Sequence, residues 1–209
     1  MRDIPVFTTE NGAASLILRE IPYSGKAYIR LQASREAAVF IKECGDFCRM
    51  AGAKACFATG ENLEDYPVYT TVYRMQGAVL EIREGEGAIF PVTEETLPRF
   101  LEIYNEKMAG VPLAAYLTKG EGVKLLKNAY FVHSGNTLLG IGVVEGNKIS
   151  AIAACQKGAG RAVLAALCRA MGEEQAVLEV ADNNLPALRL YERCGFVKTG
   201  VVDRWHKIF

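Results

Sequence analysis

No apolar run in this 209-residue chain reaches the ~18–20 residues that a bilayer-spanning helix needs. Charge of one sign is not in excess either. The 24 basic and 24 acidic side chains give a formal net charge of zero, which leaves no global pull toward nucleic acid or an anionic membrane. Histidine occurs only at His133 and His206, and no Cys-x-x-Cys pair exists among Cys44, Cys48, Cys56, Cys155, Cys168 and Cys194. Cys44 and Cys48 stand one helical turn apart, with Cys56 following on an expected strand, so a metal site there is one reading. Buried free thiols acting as small apolar residues are the better one, and no metal is expected. The start Met1-Arg2-Asp3-Ile4-Pro5 has no apolar h-region. No signal peptide is therefore expected, and a reducing cytoplasm follows.

The rest of the composition, 50% hydrophobic and 23% charged, is that of an ordinary globular protein long enough for one large or two small domains. Residues 13–21 and 27–32 read as strands around a turn at Pro22-Tyr23-Ser24-Gly25. Ser34 is the expected N-cap of a helix to about Ala51, with Phe40, Ile41, Cys44, Phe47 and Cys48 on one face. Strands are expected at 54–59 and 68–75. The polar stretch Arg83-Glu84-Gly85-Glu86-Gly87 is the best linker candidate. It divides an expected accessory segment, 1–82, from a second domain, 88–209. There a short strand at 88–92 precedes a helix capped by Thr93 or Thr96 and running to about Met108. A second helix is expected over 112–127. Strands follow at 129–133, 137–144 and 148–154. The loop Gln156-Lys157-Gly158-Ala159-Gly160 opens a helix to about Met171. A strand at 176–181, a short helix at 185–193 and a final strand from Phe196 complete the chain.

Shifted by about 120 residues, the chain echoes itself. Cys48-Arg49-Met50-Ala51-Gly52 falls on Cys168-Arg169-Ala170-Met171-Gly172, and the strand–turn–strand at 13–33 falls on that at 135–154. At a larger offset Val68–Val72 resembles Val197–Val201. A diverged duplication is one reading; the other is that any two β-turn-β-α-β stretches look alike.

A strand, a glycine loop and a helix N-terminus together form an anion cradle, because free N–H groups and the helix dipole both favour phosphate. Gly158 and Gly160 permit close backbone approach, and Lys157 and Arg161 can add charge-assisted contacts. Plain turn chemistry is the alternative. The run Asn184-Leu185-Pro186-Ala187-Leu188-Arg189-Leu190-Tyr191-Glu192-Arg193-Cys194-Gly195-Phe196 makes the signal specific. It resembles the GNAT acetyltransferase family, whose pattern N-x-x-A-x-x-L-Y-x-x-x-G-F is matched at Asn184, Ala187, Leu190, Tyr191, Gly195 and Phe196. Gly158-Ala159-Gly160 lies about 25 residues upstream, where that family has its pyrophosphate loop.

This resemblance implies an α/β (α+β) fold with a mixed, splayed central sheet and a smaller N-terminal α/β segment extending or repeating it. Acetyl-CoA would lie between the strands at 148–154 and 176–181. Its pyrophosphate would rest on Gly158, Ala159, Gly160, Arg161 and Ala162, flanked by Gln156 and Lys157. Its pantetheine would follow Ile152, Ala153 and Ala154 and meet Asn184. Tyr191 would face the thioester sulfur, and Glu179, twelve residues earlier, would be the base. The bland readings are that Tyr191 only packs, that Glu179 is an ion-pair partner, and that Asn184 only caps the helix at 185. Trp205 and His206 either line an acceptor pocket or pack; His133 reads as structural. The family's usual Arg or Gln before the loop is Cys155 here, with Gln156 one place late, and about four residues of the usual strand-to-loop stretch are missing. The N-terminal segment has Ser34-Arg35-Glu36-Ala37 in place of the glycine loop and is expected to have lost CoA binding. The expected activity is direct acetyl transfer from acetyl-CoA to a small-molecule or peptide amine. No nucleic-acid or membrane partner is expected, and a homodimer is allowed. The rival readings are a non-catalytic CoA-binding module and a protein-interaction module.

Overall fold

The computed structural model describes residues 1–79 and 87–209. Residues 83–86 of the expected linker lie outside that range. Two compact units emerge, Met1–Val72 with Val201–Phe209, and Tyr73–Gly200. Their boundaries fall inside two long strands, β5 (Val68–Ala78) and β11 (Val197–Lys207).

In the first unit, β1 (Ile4–Thr9), β2 (Gly12–Ile17) and β3 (Lys26–Ser34) form an antiparallel run. A one-turn helix α1 (Ile21–Ser24) sits at the turn between the last two, and Gly25 closes it at φ 70°. Helix α2 (Ala37–Met50) then carries the chain to β4 (Ala55–Thr59), which is parallel to β3. The strand order is β1-β2-β3-β4-β11. Apolar residues at helical spacing explain α2: Phe40, Ile41, Cys44 and Cys48 are sealed against Ala14, Leu16, Ile29, Cys56 and Ala58. Each large side chain so buried contributes about 1.5–3 kcal/mol. On the other face of the same strands Tyr28 and Phe57 meet, with Trp205 edge-on to Tyr28 at 5.5 Å and Tyr69 4.2 Å from Phe57.

Two expectations fail here. Ser34 is not an N-cap: it stays in β3 opposite Gly12, and Arg35 N–H continues the ladder to Asn11 O, so the backbone is already committed. Helix α2 starts after Glu36, whose side chain does not cap. The edge strand β1 has no counterpart in the sequence reading; Pro5 is tolerated there because an edge strand leaves one side without a ladder.

The second unit begins within β5 and continues through β6 (Ala88–Pro91), α3 (Leu97–Met108), α4 (Lys119–Leu125), β7 (Ala129–Ser134), β8 (Thr137–Glu145) and β9 (Lys148–Ala154). It ends with α5 (Gly160–Ala170), β10 (Gln175–Ala181), α6 (Leu185–Arg193) and the start of β11. The sheet is mixed, in the order β11-β5-β10-β9-β8-β7-β6. One face packs α5 through Val163, Leu164 and Leu167, together with Leu188 and Tyr191 of α6. The other packs α3 through Phe100 and Ile103 against Phe131, Ile141 and Val143. Gly142 lets α5 approach β8 closely, since a Cβ there would lie 2.3 Å from Leu167 Cδ1.

The helix expected over 112–127 is only α4. Its true start is a capping box, in which Thr118 and Glu121 satisfy each other's backbone N–H groups. The preceding loop is tied instead to α3, with Asn105 Oδ1 accepting from Leu117 N–H at 2.8 Å and Asn105 Nδ2 donating to Leu117 O at 3.0 Å.

Each unit thus contains a hairpin, a crossover helix and a parallel strand: β2-β3-α2-β4 in one and β8-β9-α5-β10 in the other. The strand that follows in sequence goes elsewhere. β5 lies beside β10, and β11, the end of the chain, lies beside β4 with His206 opposite Ala58.

Candidate active site

The site is a parting in the sheet. β9 and β10 pair at Val177↔Lys148 and Leu178↔Ile149, and Val177 N–H donates to Asn147 O at 2.8 Å. Among the described residues no register partner on β10 follows. Ala151 to Ala154 stay paired to β8 on one side only, opposite Val143 to Gly140. The cause is local. Between Val143↔Ala151 and Val144↔Ile149 the register skips Ser150, so Ser150 is a bulged residue. A bulge bends its strand and ends regular pairing. Here it falls one residue past the last pair with β10. The far edge of Ala151–Ala154 therefore carries main-chain donors and acceptors in want of partners.

Beyond the parting the chain turns through Gln156–Ala159 into α5. Gly158 sits at φ 84°, in the left-handed region that favours glycine. Ala159 N–H donates to Gln156 O at 3.2 Å, and Val163 N–H to Ala159 O at 2.9 Å. The amides of Gly160, Arg161 and Ala162 are those an α-helix leaves without an intrahelical acceptor, at the positive end of its dipole. Gly160 is packed on α6, where a Cβ would lie 2.9 Å from Leu190 Cδ2. Lys157 and Arg161 are exposed around the loop. Gln156 turns back, its Nε2 donating to Leu138 O at 3.4 Å. Burial pushes the Cys194 thiol up in pKa, against the pull of the nearby Arg161 and Arg193 guanidinium groups.

Tyr191 projects from α6 into the core formed by α5 and β10, 94% buried and 5.9 Å from the Phe196 ring. Its hydroxyl makes no hydrogen bond among the described residues, yet it is not sealed from solvent. Burial pushes its pKa up to about 12, so the phenol stays protonated at neutral pH. Asn184 occupies the N-cap position of α6, but its side chain does not cap the helix and is half-buried. Its amide is left for another partner.

Glu179 lies on the other face of β10, because Leu178 and Val180 point into the Tyr191 core and side chains alternate along a strand. Its Oε1 takes both Lys148 Nζ at 3.1 Å and Arg74 Nη2 at 3.5 Å. Oε1 is the oxygen nearest to both cations, and Oε2 accepts no hydrogen bond among the described residues. Glu179 thus stands one residue past the last β9–β10 pair, on the face of β10 opposite the core that holds Tyr191.

A family model described as Acetyltransferase (GNAT) family matches residues 153–196, which run from the open edge of β9 to the end of the α6 turn. The matched stretch is 44 of the 209 residues. Solved structures agree in fold across nearly the whole length. A GCN5-related N-acetyltransferase from Sphaerobacter thermophilus is 13% identical, with a TM-score of 0.61 over 93% of this chain and 75% of that one. A functionally unknown conserved protein from Staphylococcus epidermidis is 11% identical, with a TM-score of 0.60 over 96% and 91%. A tandem GNAT protein from the clavulanic acid biosynthesis pathway is 12% identical, with a TM-score of 0.52 over 94% and 78%. No curated protein matches in sequence.

Trp205 and His206 belong to the first unit. Trp205 is buried against Tyr28 with the Arg30 guanidinium 5.0 Å over its ring, and His206 Nδ1 lies 2.8 Å from Tyr66 O. His133 packs edge-on against Phe90 and Phe131. All six cysteines are free, and Cys44, Cys48 and Cys56 share the α2 core. Among the described residues no group of three His, Cys, Asp or Glu side chains could hold a metal, and no helix is long and apolar enough to cross a membrane. Sequence reasoning missed Ser150, Arg74 and Lys148. The bulge left no mark in residue type, and the two cations reach Glu179 only through strand order.

Proposed function

We propose that this chain is an N-acetyltransferase that takes its acetyl group from acetyl-CoA and delivers it to an amine. The observation that carries the reading is the parting of β9 from β10 at Ser150, which leads to a helix N-terminus with open amides. An extended amide-bearing arm ending in pyrophosphate fits that shape: peptide-like groups match an unpaired strand edge, and phosphate matches the α5 dipole.

When bound, acetyl-CoA supplies a thioester whose C–S bond breaks as the amine nitrogen forms a C–N bond to the carbonyl carbon. The amides of Gly160 to Ala162 hold the phosphates, helped by Lys157 and Arg161. The free edge of Ile152 to Ala154 and the Asn184 amide hold and orient the arm. Tyr191 faces the sulfur. A phenol near 12 is a weaker acid than a thiol at about 8.5, so it does not surrender its proton for good. It donates a hydrogen bond to the thiolate as charge develops. Glu179 receives the amine proton on Oε2, directly or through water, while Oε1 stays with Lys148 and Arg74. A reducing cytoplasm, where six free thiols persist, belongs to the same reading.

Thiol release from acetyl-CoA across an amine panel tests this, beside Tyr191→Phe and Glu179→Gln. Turnover that both variants slow is the expected result. The double engagement of Glu179 favours a second reading, a non-catalytic acyl-CoA-binding module, for which CoA would raise Tm and no amine would be acetylated.

A further inference from the structure

At the closed end of the parting stands a charged set drawn from three adjacent strands: Arg74 of β5, Glu179 of β10 and Lys148 of β9. We propose that it recognises the acceptor and that the acceptor is an amino carboxylate of the α-amino-acid type, its ammonium on Glu179 Oε2 and its carboxylate on Arg74 and Lys148. This rests on the acetyltransferase reading above.

Position is the first argument. With the phosphates at the start of α5, the arm runs along β9 from Ala154 back toward Ser150, so its reactive end meets the residues where β9 and β10 join. Glu179 is the first β10 residue past that junction. The second argument is valence. Both cations approach the same oxygen most closely, so the guanidinium and the ammonium keep most of their N–H donors, and Oε2 accepts no hydrogen bond among the described residues. Side-chain exposures of 55% for Arg74, 41% for Lys148 and 27% for Glu179 leave all three reachable. Ion pairs this exposed contribute little to stability, so the fold does not require them. Glu145, the cross-strand partner of Lys148, turns its carboxylate to the Ser150 hydroxyl and does not claim the lysine. The third argument is selectivity. An ammonium and a carboxylate close together complement one anion between two cations. A polyamine would meet like charge from both sides. The planar guanidinium can also grip a carboxylate through two parallel N–H bonds.

The experiment compares α-amino acids with the corresponding α-amino acid amides as acceptors, with acetyl-CoA, in the full chain and in Arg74→Gln and Lys148→Gln. Acids are expected to exceed amides in kcat/KM by at least about tenfold, the effect of one charge-assisted hydrogen bond. Each variant is expected to cut that preference about tenfold, mainly through KM. Amides or polyamines acetylated as well as acids, or a preference both variants retain, overturns the acceptor assignment and leaves the acetyltransferase reading standing. Failure of every amine to turn over overturns both.

Discussion

The two β-β-α-β units share their elements and differ in one register. In the first, β3 and β4 hold five pairs, Lys26↔Ala55 through Arg30↔Thr59. In the second, β9 and β10 hold two. Both outer hairpin strands carry a bulge. In β3 the skipped residue is Gln32, beyond the last pair with β4; in β9 it is Ser150, immediately after the second pair with β10. The same device thus ends one ladder late and the other early. The late bulge leaves a closed sheet, and α2 follows a strand end with no glycine loop. The early one leaves an open edge leading to Gly158 and the amides of α5. This difference is our account of why the proposed ligand site falls in the second unit.

The largest expected effect is on the closed unit. Trp205→Ala removes the ring that abuts Tyr28 and should cost about 3–5 kcal/mol in urea unfolding. A loss under about 1 kcal/mol would mean the aromatic layer does not hold β11 to β4. The next prediction converts the open unit into the closed kind. Deleting Ser150 restores a regular β8–β9 ladder, lengthens the β9–β10 pairing and should abolish the stabilisation by CoA, about 2.7 kcal/mol for wild type at 100 times Kd. Retention of that stabilisation would separate the bulge from the site.

Tyr191→Phe should slow thiol release about 10²-fold with little change in CoA affinity. It should also change the alkaline limb of stability. The phenol titrates near 10 when unfolded and near 12 when folded, so its contribution is complete below pH 10 and is lost as pH rises toward 12. Wild type should therefore lose about 2–3 kcal/mol across that window from this group, and the Phe variant should not. Tyr28, also raised by burial, keeps its share of the fall in both. Denaturant midpoints at pH 9 and pH 11.5 read the difference. Smallest of all is the stability effect of Glu179→Gln, under about 1 kcal/mol for an exposed ion pair, against a clear loss of turnover.

Much of this was legible in the chain. The motif from Asn184 to Phe196 and the glycines at 158 and 160 pointed to the GNAT fold, and apolar spacing located α2, α5 and most strands. What escaped reading depends on partners. Ser34 has the chemistry of an N-cap, yet the ladder to Gly12 claims it first. The Thr118–Glu121 box was readable and would have shortened the helix expected from 112. The placement of β5 beside β10 and β11 beside β4 is a matter of spatial order, on which local sequence is silent. For the same reason Arg74, 105 residues before Glu179 in the chain, gave no sign of meeting it.

Amide hydrogen exchange with and without CoA tests the contrast between the two units most directly. The account predicts new protection at Ala151–Ala154 and across the first turn of α5, with β3 and β4 unchanged. Protection appearing at Lys26–Ser34 or Ala55–Thr59 instead, or none along residues 150–162, would contradict it.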